Sequence, residues 1–297
     1  MIKYSNIAII ASFFALWMDS FLTFQLQILT GFFLIFSVGI LHGANDLILI
    51  RVTDSKKELH STLKVFASYF LVVLAGIGFF YFLPQLALLL FILVSGYHFG
   101  EQEWQVLSKH FPKTITSLFY ILHGLLVLLL LFTIHAKAVE EVIFNITQNT
   151  TTHHYPFGLL LLGVGFMFIV LTGYCYWKVK KIRKRIYLEY FHFLIFAIIF
   201  KTSSLIWGFA IYFIFWHSIP SIIDQVKYIN GSFSKSNFIS YCKSAALYWL
   251  FSIIGIATLY VFFKDTYLFN ALFFSFLAAI TFPHVFVINS MFVKKKA

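Results

Sequence analysis

Six histidines fall inside long apolar stretches of this sequence: His42, His98, His123, His192, His217 and His284. Three or four neutral imidazoles suit Fe, Zn, Cu or Ni, and ligand type alone does not choose between them. Three of the six sit in dense polar strings, His42-Gly43-Ala44-Asn45-Asp46, Tyr97-His98-Phe99-Gly100-Glu101-Gln102-Glu103 and Trp216-His217-Ser218-Ile219-Pro220-Ser221. His284 follows Pro283, a residue that opens the backbone ladder and can aim the next side chain inward. Acids stand close by. Asp46 is one helical turn after His42, Glu101 is three residues after His98, and Asp224 is two turns after His217. A carboxylate that holds the second nitrogen of a metal-bound imidazole is a recurrent device, so Asp46, Glu101 and Asp224 are candidates for that part. For His42, His98 and His217 the polar strings favour metal ligation. For His123 and His192 the favoured reading is interhelical hydrogen bonding, and His284 is balanced between the two.

Composition dictates what must carry these residues. The 297 residues are 61% hydrophobic and only 11% charged, with mean hydropathy +0.89. Soluble domains run at roughly 25% charged, so this chain belongs in lipid. The apolar runs predict an all-α polytopic transmembrane bundle, a single integral membrane domain over 1–297. About ten spans are expected, roughly at 6–24, 27–50, 65–83, 85–105, 115–134, 157–177, 187–200, 204–226, 244–263 and 268–292, since about 20 residues cross a ~30 Å core. Strand-like alternation is absent, which argues against a barrel. No cleavable signal is expected. Cys175 and Cys242 suggest neither a disulfide framework nor a Cys-ligated metal.

If the spans alternate, 19 of the 22 Lys and Arg fall on one side, and only Lys137, Lys201 and Lys264 on the other. The positive-inside rule then places both termini in the cytoplasm of a multi-pass protein of the cell's inner membrane. The net charge of +11 is a topology signal, and nothing else points to nucleic acid. The run Lys178 to Arg185 reads as an anchor facing anionic headgroups. The stretch 135–156 reads as a polar external loop. Glycines spaced Gly39-x-x-x-Gly43 and Gly96-x-x-x-Gly100 let helix backbones approach closely.

These spans give the histidines a common level. Each of the six lies about five to nine residues from the cytoplasmic end of its helix, a depth of roughly 8–14 Å at the α-helical rise. Ionisable groups at such depth are costly, and they face a bundle interior or a water-filled cavity. Scattered core histidines would have no reason to share one layer.

The segments Leu41-His42-Gly43-Ala44-Asn45-Asp46, Tyr97-His98-Phe99-Gly100-Glu101, Trp216-His217-Ser218 and Pro283-His284 resemble the Brp/Blh family of membrane β-carotene 15,15′-dioxygenases. The likeness runs from the second span to the last. It implies an Fe(2+)-dependent enzyme that splits β-carotene at its central double bond with O2, giving two retinals, and that commonly feeds a microbial rhodopsin. His42, His98 and His217 match family histidines that bind the iron. One position departs from the family pattern: the histidine expected one turn after His217 is Ser221 here. His284 is then the candidate fourth ligand. The alternative is a transporter or proton relay built on the same His/Asp/Glu layer. A di-iron desaturase would show clustered His-x-x-x-His strings, which this chain lacks. A retinal-binding rhodopsin is disfavoured because no lysine lies deep in a span.

Overall fold

The computed structural model describes residues 2–53, 59–148, 154–263 and 268–294, and among these every regular element is helical. Lys56, Lys57, Lys264, Lys295 and Lys296 of the charge pattern, and His153 with the threonines 150–152, lie outside the described residues. Among the described residues five helices are long and apolar enough to cross a membrane: Lys113–Ile134, Phe157–Lys178, Leu205–Asn230, Lys235–Phe262 and Ser275–Val293. Shorter apolar helices cover Tyr4–Asp19, Phe24–Gly39 and Ala67–Phe82. These lengths and compositions mark a membrane protein.

Two compact units make up the chain. The first comprises Met1–Phe33, Ile92–Glu141 and Thr151–His217. Its core packs Trp104, Phe119, Tyr120, Phe168, Cys175, Ile182 and Ile186. Here Gly96 and Gly100 of helix Pro84–Trp104 meet Tyr120 and Gly124 of helix Lys113–Ile134, backbone against backbone. A Cβ at Gly100 would collide with the Tyr120 carbonyl, and one at Gly124 with the Gly96 carbonyl. The Gly-x-x-x-Gly spacing thus serves close helix approach, as small residues do between membrane helices.

The second unit comprises Leu34–Phe91, Val142–Thr150 and Ser218–Ala297. Leu49, Ile288, Met291 and Phe292 form one buried cluster, and Ile222, Val226 and Tyr241 another. Helix Leu59–Phe82 reaches helix Leu268–Lys294 at Gly76, where an added Cβ would lie 3.2 Å from the Ala279 Cα. Helix Ile219–Asn230 ends at Gly231, whose φ of +78° is the left-handed cap conformation that glycine adopts without strain.

Three expectations change. The span at 27–50 is not one helix. It runs as Phe24–Leu34, widens to a π-helix over Ile35–Gly39, turns at 42–45 and restarts as Asp46–Thr53. Within 135–156, residues Ala136–Thr147 are helical rather than loop. The short span at 187–200 is a 20-residue helix, Arg183–Thr202, which includes the last of the basic run.

Candidate metal centre

In the first unit His98 and His217 come together. His98 lies on helix Pro84–Trp104, and His217 on a π-helical segment, Tyr212–Ser218. Pro220 follows closely and has no N–H to donate four residues back, so the regular ladder is interrupted next to His217. Such widened turns often sit at functional sites. The two imidazole centroids are 4.7 Å apart at 78°. The Phe99 ring lies 4.7 Å from that of His217, and Phe213 stacks on His217 at 5.6 Å. Gln102 Nε2 donates to the His217 carbonyl at 3.1 Å. Both histidines are buried.

In the second unit His42 and His284 form a matching pair, with ring centroids 4.7 Å apart at 83°. His42 sits on the turn that breaks its helix, and its Nδ1 meets the Gly39 carbonyl. Gly43 lies on that turn against His284: a Cβ there would stand 3.6 Å from His284 Nδ1, an ordinary contact. His284 Nδ1 bonds Asp46 Oδ1 at 2.8 Å, and Tyr69 donates its hydroxyl to Asp46 Oδ2 at 3.0 Å. Gln225 Nε2 donates to the His42 carbonyl at 2.7 Å and to Ser221 Oγ at 3.1 Å, while Gln225 Oε1 accepts from Tyr241 at 2.8 Å. A buried amide with these bonds is a rigid brace for the His42 turn.

Two buried histidine pairs invite comparison with known enzymes, and the beta-carotene 15,15′-dioxygenase family model matches residues 33–292. The chain belongs to this family. It is a carotenoid-cleaving oxygenase. No curated protein and no solved structure matches the chain.

Within this oxygenase the outer residues differ in part from the sequence reading. Asp46 engages His284, 238 residues away in sequence, whereas His42 uses a backbone carbonyl. The expected shared helical face of His42 and Asp46 does not exist, because the chain turns between them. Glu101 is buried at 3% exposure, and Asp224 is half-buried. His123 Nδ1 accepts from Trp104 Nε1 at 2.9 Å. His192 Nδ1 lies 3.4 Å from Glu189 Oε2, and its ring packs on Trp216. Arg185 in turn bonds Glu103 and lies 3.6 Å from Glu189. His123 thus takes an interhelical hydrogen bond from Trp104, whereas the carboxylate beside His192 belongs to its own helix, Arg183–Thr202. Tyr69 and Gln225 escaped the sequence reading, since neither lies in one of the histidine-bearing polar strings.

Proposed function

We propose that this chain cleaves β-carotene at its central double bond with O2, using one Fe(2+), and releases two molecules of all-trans-retinal. Family membership supports the substrate and the bond. The observation that carries the metal is the donor set: four buried imidazoles in two ring pairs. One pair has its Nδ1 atoms engaged by Asp46 and by the Gly39 carbonyl. Bonds of that kind fix the tautomer and leave Nε2 as the ligand nitrogen. His42, His98, His217 and His284 are the proposed ligands, with Asp46 orienting His284 and with Glu101 and Asp224 as candidates to hold the outer nitrogen of a ligand imidazole. Zinc suits imidazole equally but has no redox chemistry, and among the redox-active metals that suit imidazole the family resemblance favours iron.

Ferrous iron, when bound, supplies the electronic route by which O2 reacts with a carbon–carbon double bond. The chain's own residues orient and exclude. Asp46 and Tyr69 hold His284, Gln225 holds the His42 turn, and Phe99 and Phe213 shield His217 with apolar rings. Cleavage of one double bond into two carbonyls needs no net proton, which agrees with a ligand set lacking a separate nucleophile. The substrate is an apolar rod about as long as the ~30 Å bilayer core, and an enzyme in lipid receives it without passage through water.

Ten spans with both termini in the cytoplasm of the cell's inner membrane complete the proposal. The 19-to-3 division of Lys and Arg supports it, and so do the 21 and 20 residues of helices Pro84–Trp104 and Arg183–Thr202. Retinal made there would be available to a microbial rhodopsin. The direct test is expression in cells that make β-carotene. Loss of orange colour with equivalent retinal appearing is the expected result. Unchanged carotenoid in cells that accumulate the protein would refute the assignment.

A further inference from the structure

Three consecutive residues of the π-helical segment, Phe215, Trp216 and His217, are each engaged by a side chain from another helix, and two of the three come from helix Ile2–Asp19. Tyr4 donates its hydroxyl to the Phe215 carbonyl at 2.5 Å. Trp216 donates its indole N–H to Ser12 Oγ at 2.9 Å, and the Ser12 hydroxyl donates to the Ala8 carbonyl at 2.7 Å. Tyr4, Ala8 and Ser12 recur every four residues, so they share one helical face. Ala8 and Ser12 on that face are buried at 1% and 0% exposure. The stretch matched by the family begins only at residue 33.

The π-helical segment needs such support. Its turns are wider than the α-helix, a geometry rarely sustained without help from outside. Pro220 cannot donate to the carbonyl of Trp216, so regular backbone bonding is interrupted there. Tyr4 supplies a donor one residue before that point. The Trp216 indole also packs edge-to-face with His192 at 4.9 Å and Phe196 at 4.9 Å. With its N–H fixed on Ser12, Trp216 has one orientation, and the neighbouring His217 inherits a fixed backbone.

We infer that helix Ile2–Asp19 is a positioning element for His217, acting through Tyr4 and Ser12. The inference rests on the reading that His217 binds iron. Neither Tyr4 nor Ser12 is a ligand: Tyr4 holds the backbone before the imidazole, and Ser12 holds the indole of the residue beside it. A helix that merely covered apolar surface would need no hydroxyl at either position.

The test uses purified, metal-free full-length protein titrated with Fe(2+). A second readout is the electron paramagnetic resonance spectrum of the ferrous protein with nitric oxide. Tyr4→Phe, Ser12→Ala, Trp216→Phe and the Ser12→Ala/Trp216→Phe pair are compared with wild type and with His217→Ala. Tyr4→Phe and Ser12→Ala are each expected to weaken Fe(2+) binding about tenfold, the lower end of the range for outer partners of a metal ligand. Each should also shift the nitrosyl spectrum. The Ser12→Ala/Trp216→Phe pair should be no worse than Trp216→Phe alone, because both remove one hydrogen bond. Folded variants that bind Fe(2+) with wild-type affinity and give the wild-type nitrosyl spectrum would overturn the inference, even if their unfolding temperature fell. Should Tyr4→Phe not accumulate, the Ser12 and Trp216 variants decide by the same readouts. If His217→Ala itself kept full iron, the underlying assignment of His217 would fall instead.

Discussion

Replacing Asp46 by asparagine keeps the shape of the side chain and removes its charge. In the wild type, Asp46 is 2% exposed, accepts from Tyr69 at 3.0 Å and meets His284 Nδ1 at 2.8 Å. Hydrogen bonds to an ionised acceptor contribute about 1.5–3 kcal/mol, against about 0.5–1.5 for neutral pairs. The His284 bond therefore loses about 1–1.5 kcal/mol, roughly a tenfold effect. The asparagine amide can offer its oxygen to only one of the two donors, which adds to the loss. Together these place Asp46→Asn at 10–100-fold weaker Fe(2+) binding, in line with other outer partners of metal ligands. Tyr69→Phe removes one bond and leaves the charge, so it should cost less than tenfold. The assay is iron content per chain after equilibration against graded chelator, with retinal formation at saturating Fe(2+) alongside. Turnover should largely return once the Asp46→Asn protein is saturated, because the carboxylate orients a ligand and touches no substrate. An Asp46→Asn protein that matches wild type across the chelator series would refute the role given to this carboxylate.

His192→Ala should chiefly lower the unfolding temperature and cost less iron than Ser12→Ala, since His192 packs on Trp216 but leaves the Trp216 N–H bonded to Ser12. Gly100→Ala should abolish accumulation of folded protein, whereas Gly78→Ala, with nothing within 4 Å of its added Cβ, should be silent; expression with size-exclusion profiles compares them. Reporter fusions after residue 182 should read cytoplasmic and fusions within 145–152 external, and an external reading at 182 would dismantle the ten-span topology.

The class of the protein was legible because apolar runs of span length leave no other solvent. The candidate histidines were legible because polar strings such as His42 to Asp46 are costly in lipid and so mark interior faces. The break at His42 was hidden by hydropathy, which averages over the turn residues Gly43 and Asn45. Helix Ala136–Thr147 was hidden by the Thr-rich stretch that follows it. Its signal was present in Val139, Val142, Ile143 and Ile146, spaced at helical intervals. The partner of Asp46 was not legible at all. Sequence proximity favoured His42, and only the packing of helix Leu268–Lys294 brings His284 to that carboxylate.

The central claim is that the imidazoles hold an iron on which carotenoid cleavage depends. The most direct measurement is retinal formation by purified protein stripped of metal and then resupplied with Fe(2+) or Zn(2+), with metal content determined on the same samples. About one Fe(2+) per chain should restore cleavage, Zn(2+) should bind without restoring it, and His42→Ala, His98→Ala, His217→Ala and His284→Ala should each lose iron and activity together. Metal-free protein that still cleaves β-carotene would contradict the account.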